Sequence, residues 1–381
     1  MINPAKRLQN IDEYVFSKLG KEIKSVEKRT HRKVLNFGQG HPDIPPSPRA
    51  MKMLQTFIAE RDAHMYPGYS AIPVLSDALQ SWYKKRFNVS ITSGELLPLL
   101  GAKDGIAHLP LALFNKGDEV LIPNPGYPPY KEPLLLVGAK PVLYDLLEKD
   151  DFKLSLSAIE KKLTKQTKAI WINFPSNPTG QIITLIELKK LVAFAKKKNL
   201  IILYDNAYSE LTFDGYIAPS ILEIKGAKDI AIEFNSFSKA FSFAGFRMGW
   251  VVGNKELIAM LAKVKTQMDS GLAIPLQKLG AYVLTDVDHT WKKHMIDTYS
   301  NRRDSIAKHL TKLDMTFSLP KGSIYIWAKI PATEENAEAF CGKLLREKQI
   351  VFTPGTAFGS NGDRYVRISI GLNIDKINDY F

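Results

Sequence analysis

The chain has 381 residues, enough for two or three domains, and its 45% hydrophobic and 24% charged residues are typical of a globular protein. The net charge of +13 comes from short basic runs spread along the chain, which favour solvated helix faces over nucleic-acid binding. The single cysteine, Cys341, excludes an intramolecular disulfide and a multi-thiolate metal site. We therefore expect no metal, no nucleic-acid partner and no membrane span, and the absence of an apolar signal-peptide core indicates a cytoplasmic protein.

Short apolar runs alternate with helical patterns through the middle of the chain. One such helix is predicted over Leu185–Lys198, with apolar residues on one face and lysines opposite. The predicted strands are Glu119–Pro123, Pro141–Tyr144, Ala169–Phe174, Leu200–Tyr204, Asp229–Asn235 and Met248–Val252. This alternation predicts an α/β fold, in which helices cover both faces of a mostly parallel sheet. Ligands of such sheets bind beyond the carboxyl ends of the strands.

The end of the chain has a different pattern, typical of a smaller α+β domain. Its predicted elements are helices over Thr290–Leu313 and Ala337–Glu347 and strands over Ser323–Ile330, Ile350–Thr353 and Tyr365–Ile370. We expect a large domain over residues 49–285 and a small domain over residues 286–381. The N-terminal segment, residues 1–48, is expected to pack with the small domain.

Lys239 follows the predicted strand Asp229–Asn235, in the sequence NSFSK. A single lysine is usually a surface charge, but this one lies after a strand end and eight residues before Arg247. Together with Arg247, Ser236 and Ser238 can hold a dianionic phosphate through charge-assisted hydrogen bonds. A buried lysine beside them is able to form an imine with an aldehyde.

Asp205 and Tyr208 follow the predicted strand Leu200–Tyr204. An aspartate at this point is able simply to cap the next helix, and that alternative stays open. In a dry site its carboxylate would instead hold a pyridine nitrogen protonated, so that the ring withdraws electrons. Tyr208 could then hydrogen-bond the phenolic oxygen of such a ring.

Four further motifs have both a structural and a functional interpretation. Asn177, in NPTG, belongs either to a tight turn or to a rigidly held amide donor. Ala102 and Lys103, in GAKDG, precede the helical run Ile106–Phe114, and this is either an ordinary loop-to-helix junction or an anion site made by free backbone N–H groups. Tyr127, in NPGYP, is either an exposed turn residue or an aromatic ring at the edge of the sheet. Arg367, in YVRIS, either decorates an edge strand or clamps an α-carboxylate.

These motifs resemble the class I and II aminotransferases, pyridoxal-phosphate enzymes of fold type I. The resemblance extends from the segment NFGQGHPD at 36–43 to Arg367, and the motifs follow one another along the chain in the order expected for that family. The resemblance implies pyridoxal 5′-phosphate as cofactor, an amino acid and a 2-oxo acid as substrates, and a homodimer with a shared active site. It makes Lys239 the Schiff-base lysine and the proton shuttle at the substrate Cα. Asp205 would pair with the pyridine nitrogen.

The same resemblance implies roles for the other motif residues. Tyr208 and Asn177 would contact the ring oxygen, and Tyr127 would stack on the ring. The phosphate would be bound by Ala102, Lys103, Ser236, Ser238 and Arg247, and Tyr66, in the sequence YPGY, would reach the phosphate site of the neighbouring subunit. The substrate would contact Arg367 and Gly40, together with Tyr14, Lys103, Tyr127 and Asn177.

Within the family, the chain resembles the LL-diaminopimelate aminotransferases most closely, through MYP at 65–67, GIAHLPLA at 105–112, NAYSE at 206–210 and DSG at 269–271. The implied reaction transfers an amino group from LL-diaminopimelate to 2-oxoglutarate, in lysine and cell-wall precursor biosynthesis. Aspartate, alanine or aromatic amino acids stay open as donors, because AFSFAGF after Lys239 and GAKD at 101–104 depart from the pattern of relatives.

Two other classes of function remain to be separated from a transaminase. A β-lyase or decarboxylase would use the same residues, because one cofactor-bound carbanion has several fates. A sensor domain of a transcription regulator would need a helix-turn-helix domain before the large domain. Residues 1–48 are too few for that and already carry family motifs, so this alternative is disfavoured.

Overall fold

The structure is a computed structural model that describes residues 3–11 and 15–381, so the expected substrate contact Tyr14 lies outside the described residues. The α-helices are α1 (Val15–Thr30), α2 (Pro48–Ile58), α3 (Pro73–Phe87), α4 (Ala102–Leu113), α5 (Glu132–Leu136), α6 (Leu156–Glu160), α7 (Leu185–Lys198), α8 (Phe237–Ala240), α9 (Lys255–Lys265), α10 (Ile274–Thr285), α11 (His289–Lys312) and α12 (Ala337–Lys348). None of these helices is long and apolar enough to span a bilayer.

The β-strands are β1 (Leu35–Asn36), β2 (Leu96–Leu99), β3 (Glu119–Asn124), β4 (Lys140–Asp145), β5 (Thr167–Asn173), β6 (Ile201–Asp205), β7 (Ala231–Ser236), β8 (Gly249–Gly253), β9 (Thr316–Phe317), β10 (Tyr325–Lys329), β11 (Ile350–Val351), β12 (Thr353–Pro354) and β13 (Tyr365–Ser369). All six strands predicted in the middle of the chain are present. The short strand β2, which contains Pro98, was not predicted.

Seven strands form one large sheet in the order β2-β8-β7-β6-β5-β3-β4. Neighbours from β7 to β4 pair in parallel, and β8 alone runs antiparallel to the strands on either side. Alternate residues of β5 point to opposite faces: Ile170 and Ile172 join one apolar cluster, whereas Trp171 joins another. Helices α3, α7 and α10 pack on the first face, and α4 and α9 on the second. The predicted α/β class is thus confirmed.

Helix α7 shows how local sequence sets these elements. Thr184 and Glu187 form a capping box at its start, and Asn199 ends it in the left-handed region. Its buried residues, Leu188 and Leu191 among them, face the sheet, while the lysines of its last turn suit the negative end of the helix dipole. The helix has the bounds that the sequence predicts.

The C-terminal residues form a second, antiparallel sheet in the order β12-β13-β10-β9, packed with α11 and α12 around a separate core. The predicted strand Ile350–Thr353 is divided, because β11 pairs in parallel with β1 whereas β12 pairs with β13. Strand β1 and the buried Phe37 therefore bring the N-terminal segment against this unit. The domain bounds at 48/49 and 285/286 stay predictions.

Candidate active site

A cavity of about 460 Å³ opens where the carboxyl ends of the large sheet meet the second sheet. Strands β6 and β7 end at it, helix α4 begins at it, and β10, β13 and the segment after β1 close its other side. It is lined by these residues predicted from the sequence: Gly40, Ala102, Lys103, Tyr127, Asn177, Asp205, Tyr208, Ser236, Ser238, Lys239, Arg247 and Arg367.

Lys239 lies in the single-turn helix α8, which Ser236 caps by accepting a hydrogen bond from the Ser238 N–H at 3.2 Å. The side chain remains partly open to the cavity, while its ammonium group donates to the carbonyl of Gly40. Burial lowers the pKa of Lys239, and the nearby Arg367 lowers it further. A lysine in this state holds more of its amine in the neutral, nucleophilic form than a surface lysine does.

Asp205 is the last residue of β6 and is almost fully buried. Burial raises the pKa of its carboxyl to about 6, although Tyr130 donates to Oδ2 at 2.7 Å and the Ala207 N–H to Oδ1 at 3.2 Å. A buried carboxylate of this kind favours a positively charged partner. It is thus suited to keep a proton on a bound pyridine nitrogen.

Asn177 and Arg367 are held together on the opposite side of the cavity. Arg367, in β13, is 1% exposed; its Nη1 donates to Asn177 Oδ1 at 2.9 Å and its Nη2 to the Gly38 carbonyl at 3.0 Å. The backbone N–H of Asn177 donates to Asn173 Oδ1 at 2.7 Å. The guanidinium lies over the rings of Tyr325 and Phe358, with its Cζ 4.1 and 4.7 Å from their centroids. This arrangement presents a fixed cation to a carboxylate.

The start of α4 and Arg247 form an anion cradle. Gly101 has a φ of +82°, which favours glycine, and a Cβ at this position would lie 2.4 Å from Nη2 of Arg247, so the guanidinium packs directly against the backbone here. Arg247 Nη1 donates to the Ala244 carbonyl at 2.9 Å, which keeps the group at the cavity wall. Burial and the charge of Arg247 lower the pKa of Lys103. Two cations, the hydroxyls of Ser236 and Ser238 and the N-terminus of α4 therefore surround one space.

Asp104 anchors this cradle from outside the cavity. It accepts hydrogen bonds from the Leu100 N–H at 2.9 Å and from Lys265 at 2.7 Å, and His108 Nδ1 lies 2.8 Å from its other oxygen. Burial alone would raise the pKa of Asp104, but these contacts lower it to about 2. Lys265, 2% exposed, also contacts Asp269 at 2.5 Å.

Tyr127 and Tyr208 each contribute an aromatic ring to the cavity. Tyr127 packs edge-on against Tyr130, with 5.6 Å between ring centroids. Tyr208 has its hydroxyl 3.3 Å from that of Tyr325, and burial raises its pKa, so the phenol remains a donor at neutral pH. Tyr66 does not line the cavity; its side chain is 86% exposed.

Among the residues that sequence analysis did not assign to the site are Tyr130, which binds Asp205; Asn173, which binds Asn177; and Tyr325, a cavity residue of the second sheet. Asn173 also donates to the Asp205 carbonyl at 2.8 Å and so joins the ends of β5 and β6. Tyr130 lies three residues after Tyr127, within the same turn-forming segment, which was a usable signal. Nothing local distinguishes Tyr325 from the apolar residues of its strand.

The donor set fits pyridoxal phosphate. The cradle at Gly101 and Arg247 offers a dianionic phosphate its hydrogen bonds, and the gap that a Cβ at Gly101 would fill leaves room for that contact. A buried carboxylate with a raised pKa and a buried lysine with a lowered pKa line the same space. These are the groups that a pyridine nitrogen and an aldehyde require.

Comparison with known proteins agrees with this arrangement. The family model described as "Aminotransferase class I and II" matches residues 32–379. The LL-diaminopimelate aminotransferase of Halothermothrix orenii is 37% identical over 98% of this chain and 96% of its own. Glutamate-pyruvate aminotransferase AlaC of Escherichia coli is 36% identical, over 98% of this chain and 92% of its own. The structure of apo-BacF from Bacillus subtilis, 31% identical, superposes with a TM-score of 0.94, covering all of this chain and 97% of that one.

Proposed function

The chain belongs to the class I and II aminotransferases, and we propose that it uses pyridoxal 5′-phosphate to move an amino group from LL-diaminopimelate to 2-oxoglutarate. The observation that carries the proposal is that Lys239, Asp205 and Arg367 line one cavity. An amine, a buried carboxylate and a carboxylate-binding cation are the three groups that amino transfer needs around the substrate Cα.

The phosphate would be held by Ala102, Lys103, Ser236, Ser238 and Arg247, and the ring by Tyr127, Asn177, Asp205 and Tyr208. When bound, pyridoxal phosphate supplies an electron sink for the bond that breaks at the substrate Cα. Asp205 would hold a proton at the pyridine nitrogen, because its buried carboxylate would gain a positive partner there. Tyr208 donates toward the ring oxygen, and Tyr130 keeps the Asp205 carboxylate in place.

Lys239 is the acid–base residue of the chain, and Arg367 orients the substrate. Arg367 binds the α-carboxylate through its two terminal nitrogens and so fixes the direction of the Cα–H bond. The Nζ of Lys239 would accept the proton from the substrate Cα and return it to the carbon that carries the aldehyde in pyridoxal phosphate. The lowered pKa of Lys239 gives it a larger fraction of neutral amine than a surface lysine has.

We propose a homodimer with shared active sites. Support comes from Tyr66, which stands at the surface with the exposed Met65 and Tyr69 beside it. The arm made by residues 65–69 rests on the turn at 269–271, where a Cβ at Gly271 would lie 2.0 Å from the Gly68 carbonyl. An exposed segment that carries a tyrosine is suited to extend toward the phosphate cradle of a second copy. We also infer a cytoplasmic location, from the single cysteine of the chain.

The choice of donor is tested with the purified protein and 2-oxoglutarate. Glutamate formed in proportion to LL-diaminopimelate, with alanine, aspartate and aromatic amino acids at least about tenfold poorer in kcat/KM, supports the proposal. A preference for alanine would instead indicate glutamate–pyruvate transfer, the activity named for its Escherichia coli relative. With an amino acid that carries a leaving group at Cβ, such as cysteine, release of that group together with pyruvate and ammonia, and without glutamate, would indicate β-elimination instead of transfer.

A further inference from the structure

Tyr325 lies where three parts of the active site meet. It begins β10, is 1% exposed, and pairs with Ser369 of β13 in the second sheet. Its phenol nevertheless reaches across the cavity to the N-terminal segment and to the end of the large sheet. No role has been assigned to it above.

The hydroxyl of Tyr325 is the centre of a hydrogen-bond chain. Tyr208 donates to it at 3.3 Å, and it donates to the Gly40 carbonyl, also at 3.3 Å. The same carbonyl accepts from the ammonium of Lys239. A Cβ at Gly40 would lie 3.0 Å from this hydroxyl, so glycine gives the close approach. Tyr325 thereby connects the phenol of Tyr208 to the atom that positions Lys239.

The ring of Tyr325 has a different partner. The Arg367 guanidinium lies over its face, with Cζ 4.1 Å from the centroid, in a fully desolvated setting. A cation stacked on a buried ring is held more strongly than one at the surface. Because the ring supports the flat face of the guanidinium, the terminal nitrogens of Arg367 stay aligned for a carboxylate.

We propose that Tyr325 is a positioning residue with two separable actions: its ring orients Arg367 for the substrate carboxylate, and its hydroxyl sets the position and charge of Lys239 through Gly40. The proposal rests on the function proposed above, in that Arg367 is taken as the clamp and Lys239 as the base. Tyr325 touches neither reacting atom but connects Arg367 to Lys239.

Several charged groups surround Lys239 and must be included in its titration. Asp205 and Tyr325 raise its pKa, whereas burial, Arg367 and Arg247 lower it. His41, whose own pKa is lowered by burial and by Lys239, and the phenol of Tyr208, 5.7 Å from Nζ at its ring centroid, complete the set. Burial raises the pKa of the Tyr325 phenol, but Arg367 and Lys239 together lower it below its ordinary value. The ionised phenol is the form that favours the charged ammonium, so the pKa of Lys239 falls when the Tyr325 hydroxyl is removed.

The first test separates ring from hydroxyl by kinetics. Tyr325→Phe keeps the ring, so KM for the amino donor stays within about twofold of wild type while kcat falls about fivefold or more. Tyr325→Leu also removes the ring, so KM rises about tenfold. Tyr365→Phe, which removes a phenol hydroxyl of β13 outside this cavity, leaves both constants unchanged. An equal KM in the Phe and Leu variants would overturn the action of the ring.

The second test needs neither cofactor nor turnover. Competitive acylation of the cofactor-free protein across pH, followed by mass spectrometry of the peptide containing Lys239, measures the pKa of that lysine. In Tyr325→Phe the midpoint falls by about half a unit or more, and in Tyr365→Phe it does not move. An unchanged or higher midpoint in Tyr325→Phe would overturn the action of the hydroxyl. Failure of the wild-type protein to transfer amino groups would instead contradict the proposed function, and the lysine titration would still decide the role of Tyr325.

Discussion

Tyr130 donates its phenol proton to Oδ2 of Asp205 at 2.7 Å, and both side chains are buried at the end of the large sheet. The hydrogen bond lowers the pKa of the carboxyl, but burial outweighs it and the pKa remains at about 6. Without a positive partner, therefore, the ionised carboxylate is a cost to the folded chain near neutral pH. A bound pyridine nitrogen, as proposed for this site, would supply that positive partner.

Replacing this carboxylate should stabilise the cofactor-free protein while inactivating the enzyme. The pKa of Asp205 is raised on folding, so its contribution to stability is present below about pH 4 and is lost as the pH rises through about 6. At pH 8 the neutral Asp205→Asn variant should be more stable by about 3 kcal/mol, and the difference should vanish toward pH 4. Denaturant unfolding of the cofactor-free proteins at both pH values measures it. A variant less stable than wild type at pH 8 would contradict the assignment.

Replacing Lys265 should weaken binding of the cofactor's phosphate group more than binding of its ring. Lys265→Met leaves Asp104 and Asp269 without their buried cation, so we expect the free energy of unfolding to fall by about 3–5 kcal/mol. Because Asp104 also binds the Leu100 N–H beside the cradle, affinity for pyridoxal phosphate should fall about tenfold more than affinity for pyridoxal. Titration of the cofactor-free protein with both compounds makes the comparison.

The matched control for Lys265 is Lys196→Met, which breaks an exposed ion pair with Asp229. A surface pair contributes at most about 1 kcal/mol, so stability and both affinities should stay close to wild type. Equal losses for pyridoxal and pyridoxal phosphate in Lys265→Met would mean that the buried cluster does not act through the phosphate cradle.

Activity should fall even when Arg367 is replaced by another positively charged residue. Lys at this position cannot contact Asn177, the Gly38 carbonyl and a substrate carboxylate in one plane. We expect Arg367→Lys to lower kcat/KM for the amino acid by roughly 10- to 100-fold, the loss of a charged hydrogen bond. Arg364→Lys, which affects a guanidinium bound to backbone carbonyls outside the cavity, is the control. An unchanged kcat/KM for Arg367→Lys would exclude it as the clamp.

Tyr66 is tested by mixing inactive subunits. In a hybrid of Lys239→Ala with Tyr66→Ala, the site that contains the intact Lys239 would receive the intact Tyr66 from the other subunit. We therefore expect activity to return after unfolding and refolding the mixture. Mixing Lys239→Ala with Asp205→Ala should restore nothing, because each site then lacks a residue of its own. If the first mixture also fails to regain activity, Tyr66 does not act across a dimer.

Sequence reasoning located the strands and the residues that follow them because both depend on local pattern. Apolar runs gave the strands of the large sheet, and polar residues at their ends proved to share a cavity. Strand direction was harder: β8 follows β7 through a short connection and runs antiparallel, which the apolar run Met248–Val252 does not reveal. Strand β2 is short and contains a proline, so its pattern resembles a loop.

The residues that sequence reasoning missed are those whose role comes from distant contacts. Tyr325 contacts Gly40 and Arg367, which lie far from it along the chain and in different elements. The prediction of one strand over Ile350–Thr353 was wrong for the same reason. Strands β11 and β12 pair with strands of two different sheets. Local pattern predicts which residues are extended or buried, but not which of them meet.

The central claim is that Lys239 carries the cofactor. Incubating the purified protein with pyridoxal phosphate, reducing it with borohydride and mapping the peptides shows which lysine has been modified. We expect one modified residue, Lys239, in wild type and in the control Lys196→Met, and none in Lys239→Ala. Modification of a different lysine, or equal labelling of Lys239→Ala, would contradict it.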